Sequence, residues 1–168
     1  MSSSASGPDE VDRIMAAWRA VRPDLDVEPL AVLSRLSRLA HHLENARRGA
    51  FTATGIEAWE FDVLSALRRA GAPYELSPGE LVKQTLVTSG TMTNRIDKLV
   101  TKGLVTRRPH PGDGRGVRVR LADAGIEVVD TAMARLLDSE HDLLAPLDAR
   151  KQAGLAATLR SLLLSFER

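Results

Sequence analysis

The run from Ser77 to Leu121, SPGELVKQTLVTSGTMTNRIDKLVTKGLVTRRPHPGDGRGVRVRL, leaves the chain few ways to fold. Ser77 as N-cap, Pro78 at the first helical position and Glu80 closing a capping box predict a helix start. Leu81, Val82 and Leu86 are its expected core positions, and Thr85 to Val87 suits a tight connection. Thr88 or Ser89 opens a second helix with Ile96, Leu99 and Val100 as its apolar stripe. Gly103 supplies the left-handed residue that stops it. Strand character follows in Leu104 to Pro109 and in Gly116 to Leu121, where Val117 and Val119 alternate with Arg118 and Arg120. Between them Pro111 to Gly116 is a glycine-rich turn. Helix, turn, helix and a basic-tipped hairpin together predict a winged helix-turn-helix in a mainly α, α+β chain.

Charge and polarity say what such a unit meets. The net charge is only +1, but Lys83, Arg95, Lys98, Lys102, Arg107, Arg108, Arg115, Arg118 and Arg120 cluster against Asp97 and Asp113 alone. A basic lobe on a near-neutral body attracts phosphate without making the whole surface adhesive. Ser89, Thr91, Thr93 and Asn94 lie near the start of the second helix, where short polar side chains reach phosphates and base edges of a major groove. Arg115 at the hairpin tip suits the narrow minor groove, and Asp113 beside it is placed to orient its guanidinium. The candidate DNA-contacting set is therefore Ser77, Thr88, Ser89, Thr91, Thr93, Asn94, Arg95, Lys98, Arg108, Asp113, Arg115 and Arg118.

The rest of the chain reads as helices around this lobe. Residues 1–8 are Ser-rich and expected to be disordered. An N-terminal helical region spans 9–54, with one helix over 9–22 carrying Val11, Ile14, Met15 and Trp18 on one face, and another over 28–48. Leu30, Leu33, Leu36, Leu39, Ala40 and Leu43 mark the apolar side of the latter, and Ala50 to Thr54 is expected as a loop. The DNA-binding lobe covers 55–121, opening with a helix to about Arg69 and including a short strand at Tyr74 to Leu76 beside the hairpin. Residues 122–168 form two C-terminal helices, the second capped by Asp148 after Pro146. Their stripes, Ile126, Val129, Met133, Leu136 and Leu137, then Leu155, Leu159, Leu162, Leu163 and Phe166, predict a homodimer interface.

The run from Ser77 to Leu121, with Asp113-Gly114-Arg115 at the wing, resembles the MarR (multiple antibiotic resistance regulator) family, as does the preceding Trp59 to Leu67. The resemblance extends from about Leu30 to the C-terminus. It implies a homodimer on a near-palindromic duplex operator, acting as a repressor and released by a small organic ligand. The added N-terminal helix, with Trp18, Asp62, Arg95 and Arg107, resembles the urate-responsive branch. There a tryptophan, an aspartate and two arginines recognise the ligand, which implies an Asp62–Arg95 pair in the free protein that an anion weakens. A neighbouring branch answers to trans-aconitate and citrate, and two arginines suit either anion. A structural ion pair at Asp62 and Arg95, a core role for Trp18 and a phosphate contact at Arg107 stand as alternatives, as does a DNA binder with no effector.

Other classes find little support. The sequence has no cysteine, which excludes disulfides, thiolate metal sites and cysteine redox sensing. No phosphate-binding glycine loop before a helix and no supported nucleophile set is present, so neither an enzyme nor a cofactor is expected. His41 and His42 are adjacent on a helix and point apart, so no metal site is expected. No apolar run spans a bilayer and no signal-peptide core is seen, which predicts a cytoplasmic protein with no membrane partner.

Overall fold

The structure, a computed structural model, describes residues 7–110 and 113–167, and the side chains of 110 and 113–115 are not described. The chain divides into two compact units, Met1–Asn45 and Ala46–Arg168. In order the elements are α1 (Glu10–Val21), α2 (Pro29–Thr52), α3 (Ala58–Arg69), β1 (Glu75–Leu76), α4 (Pro78–Thr85), α5 (Ser89–Thr101), β2 (Val105–His110), β3 (Asp113–Leu121), α6 (Asp123–Leu144) and α7 (Ala149–Leu163). This is a mainly helical chain with one small sheet, and α4, α5, β2 and β3 form a winged helix-turn-helix.

In the first unit Asp9 caps α1 and forms a reciprocal capping box with Asp12. The core is small: Val11, Met15 and Val27, with Leu30 and Ala31 against them. Charge completes the packing. Arg35 of α2 donates to Asp9 at 2.7 Å and to Asp12 at 2.7 Å, and Arg38 to Glu10 at 2.9 Å. The Arg35 hydrogen bonds lower the Asp9 carboxyl from 3.8 to about 2. Leu33, Leu36 and Leu39 of the expected apolar stripe are exposed in the single chain.

The second unit is built on α3. Val63, Leu64, Ala66 and Leu67 are fully buried, joined by Leu81, Met92, Ile96, Leu99, Val119 and Val129. Each such Leu or Val contributes about 1.5–3 kcal/mol relative to leaving it in water. The expected loop from Ala50 to Thr54 is mostly helix instead. Ala50 and Phe51 are buried in the last turn of α2, and the Phe51 ring stacks on Phe61 at 4.4 Å between centroids. That aromatic contact, invisible to local turn chemistry, extends the helix. Conversely the start of α3 is delayed to Ala58 from the expected Gly55.

The sheet order is β1-β3-β2, antiparallel throughout, with Leu76 opposite Val119 and Arg107 opposite Val119 on the other side. Gly103 stands at φ 71, as its helix-stopping role requires. Leu86 departs from expectation. It ends α4 in the left-handed conformation at φ 54, and this outward turn leaves it 92% exposed rather than in the core. Gly125 is a close approach: a Cβ there would lie 2.1 Å from the Leu104 carbonyl oxygen. Arg68 of α3 grips Asp130 of α6 through a two-pronged ion pair at 2.9 and 3.0 Å, with its guanidinium 4.7 Å from the Tyr74 ring. Helix α7 buries no residue within the chain, and Leu155, Leu162, Leu163 and Phe166 are exposed.

Candidate nucleic-acid interface

Two capped helices set the geometry. At α4 the Ser77 hydroxyl accepts from the Glu80 amide at 3.2 Å, and Glu80 Oε2 accepts from the Ser77 amide at 2.7 Å. These Ser77 hydrogen bonds, more than the nearby Arg118, hold the Glu80 carboxyl below its ordinary range. At α5 the Thr88 hydroxyl accepts from the Thr91 amide at 3.3 Å. Met92, Ile96 and Leu99 recur at helical spacing and pin one face of α5 to the core. The opposite face is left to solvent and carries Ser89, Thr91, Thr93, Asn94 and Lys98. Val100, expected on the buried stripe, is partly exposed.

The candidate residues separate by what holds them. Ser77 and Thr88 serve as caps, and the Thr93 hydroxyl donates back to the Ser89 carbonyl at 3.1 Å. Arg118 does not project from the wing: it donates to Glu80 at 2.8 Å and clasps β3 to the start of α4. Its charge is met in the free chain by a carboxylate within the fold. Arg107 is paired with Asp97 of α5 at 2.6 Å. Arg108 is exposed, on the strand beside it. Asp113 and Arg115 at the wing tip fall among the side chains outside the described residues.

Asp62 and Arg95 are not a pair. Asp62 lines a shallow pocket with Ser65, Arg69, Gln84, Thr85 and Leu86. Arg95 lines a different one with Trp59, Thr91, Asn94 and Lys98. The expected free-protein contact between them is therefore absent, since Arg95 is drawn to an aromatic face instead. Trp18 belongs to the first unit, where it is 47% exposed and outside the small core.

Two features were not anticipated. Among the described residues Glu60 is the buried charged residue of the lobe, its side chain 1% exposed, with the Lys102 ammonium 2.6 Å from Oε1 and donating to Oε2 at 2.8 Å. The same carboxylate accepts from the Glu57 amide at 2.9 Å, so one buried acid joins the start of α3 to the end of α5. Trp59 is the second: the Arg95 guanidinium lies 5.4 Å and the Lys98 ammonium 5.9 Å from its ring. The signal in the sequence was a tryptophan at the head of the very helix that packs on α5. Among the described residues no three metal-ligating side chains stand together, and no helix is long and apolar enough to cross a membrane.

Comparison with known proteins agrees with this geometry. A family model described as MarR family matches residues 54–116. The HTH-type transcriptional regulator PecS of Dickeya dadantii is 37% identical over 150 residues, 89% of this chain and 90% of that one. The multiple antibiotic resistance protein MarR of Escherichia coli is 35% identical over 109 residues, 64% of this chain and 74% of its own. Among solved structures, a cysteine-to-serine mutant of E. coli MarR complexed with operator DNA aligns at a TM-score of 0.64 and 30% identity, covering 83% of this chain and 99% of that one.

Proposed function

The chain belongs to the MarR family, whose members regulate transcription and are not enzymes, and from that premise we propose that it is a homodimeric DNA-binding regulator, a repressor released from its operator by a small organic anion. The observation that carries the DNA reading is the outward face of α5. Its core face is locked by Met92, Ile96 and Leu99, so Ser89, Thr91, Thr93 and Asn94 are presented together at the first turns of a helix, with Arg95 and Lys98 following along it. Polar groups of this kind at a recognition helix N-terminus meet phosphates and base edges. Arg108 and the wing-tip Asp113 and Arg115 extend the surface in this reading.

The homodimer rests on α7. A helix with no buried residue and a row of exposed leucines needs a partner surface. The exposed leucines of α2 and α6 supply more of the same chemistry, and a two-fold copy doubles the DNA contacts. In this reading the segments 9–54 and 122–168 carry dimerisation and 55–121 carries DNA, with no membrane partner and a cytoplasmic location.

The effector is proposed as a flat or multivalent anion, urate or a tricarboxylate such as trans-aconitate or citrate, met within the second unit by the guanidinium groups of Arg95 and Arg107. The switch is not rupture of an Asp62–Arg95 pair, which the free chain lacks. An anion that recruits Arg95 and competes with Asp97 for Arg107 would move cations of the recognition helix and its adjoining strand. A preference of about 1.4 kcal/mol for the DNA-incompetent form gives a tenfold shift. The separation of Asp62 from Arg95 equally favours a second reading, a DNA binder with no effector.

One titration tests both. A duplex selected by the protein from a random pool is followed by fluorescence anisotropy at fixed salt while urate and then citrate are added. Release by either, abolished in Arg107→Ala, is the expected result and names the ligand class. Binding that survives both anions leaves the DNA reading and removes the effector.

A further inference from the structure

Arg95 and Lys98 stand three residues apart on one side of α5, and among the described residues neither meets a carboxylate. What they meet is the indole of Trp59. That ring is half-buried against the lobe core at the start of α3. Its Nε1 donates to Glu57 Oε2 at 2.9 Å, so the indole N–H is already occupied and the plane is held. Thr91 and Asn94 line the same shallow pocket of about 220 Å³.

We propose that Trp59 is a positioning residue for DNA binding, a platform that orients the Arg95 and Lys98 cations on the recognition helix without neutralising them. This rests on the DNA-binding reading of α5.

The neighbouring cations show the contrast. Lys102, Arg107 and Arg118 are fixed by Glu60, Asp97 and Glu80. A carboxylate fixes a cation by cancelling its charge, and the cancelled charge no longer attracts phosphate. An aromatic face attracts a cation through its quadrupole and carries no net charge. The field at a distance is therefore that of two full positive charges, while both long side chains lose part of the rotamer freedom they would otherwise surrender on docking. The spacing of three residues puts both side chains on one helix face, so a single ring serves both.

The test is a double-mutant comparison on a duplex selected from a random pool by the parent protein, with affinity read across a salt series. Trp59→Leu is expected to weaken binding by roughly 3- to 10-fold, while Trp59→Phe, which keeps an aromatic face, stays within about twofold. In the Arg95→Ala/Lys98→Ala background, Trp59→Leu is expected to add nothing, because the groups it positions are gone. Should the leucine variant fail to fold, a fluorotryptophan series keeps the shape and weakens the quadrupole stepwise. Affinity then falls with each fluorine in the parent background and stays flat in the double variant. Equal losses in both backgrounds, or Phe as poor as Leu, overturn the inference and reduce Trp59 to a packing residue. A parent protein that selects no duplex overturns the DNA reading itself, and the inference with it.

Discussion

Both units carry exposed ion pairs, but they differ in how large an apolar core stands beside them and in whether a charge is taken inside it. In the first, a core of Val11, Met15 and Val27 is supplemented by arginines paired at the surface with Asp9, Glu10 and Asp12. In the second, a continuous apolar core from Phe51 to Leu136 bears the stability, and one acid, Glu60, is taken inside it. Exposed ion pairs are worth little each and weaken with salt, whereas a buried acid is costly to strand. The first unit is thus the part whose integrity depends on solution conditions, and the second the part that depends on sequence detail.

The contrast breaks most sharply at Gly125. Gly125→Ala forces a methyl against the Leu104 carbonyl, a backbone atom that cannot rotate away. A loss of about 3 kcal/mol is expected, read as a lowered midpoint in chemical denaturation with the Arg35 ion pairs untouched. Glu60→Gln comes next. The glutamine keeps the Glu57 cap contact but deprives Lys102 of its counter-charge, and because Lys102 is half-exposed the expected cost is about 2 kcal/mol rather than more. An unchanged midpoint would show that the inner acid is no different from the outer ones.

The smallest effect is sought in acid. The Asp9 carboxyl is lowered from 3.8 to about 2 by Arg35, so its contribution is complete above the ordinary value and is lost as pH falls through that window. Methyl resonances of Val11 and Met15 are expected to broaden between about pH 4 and pH 2, ahead of those of Leu64 and Leu67. The lobe has lowered carboxyls of its own in Glu80 and Asp130, but its core does not rest on them. Simultaneous loss in both units would erase the distinction.

What the sequence made legible follows the same division between local and distant causes. The Ser77, Thr88 and Asp148 caps and the Gly103 stop are each decided within a few residues, and each stands where expected. Features decided across the fold were not legible. Phe51 is helical because Phe61 meets it from another helix. Arg95 faces Trp59 rather than Asp62, and Arg118 faces Glu80 rather than solvent, because pattern alone does not say which of several opposite or aromatic partners a long cation will reach.

Helix α7 has one more consequence. Isolated helices shorter than about 12–15 residues are marginal in water, and this one, near that limit, has no fully buried residue in its own chain. In the homodimer reading its order is then second order in protein, so dilution acts on this segment as heat acts on a core. The number of molecules in the cell becomes one of the determinants of how much of each molecule is folded.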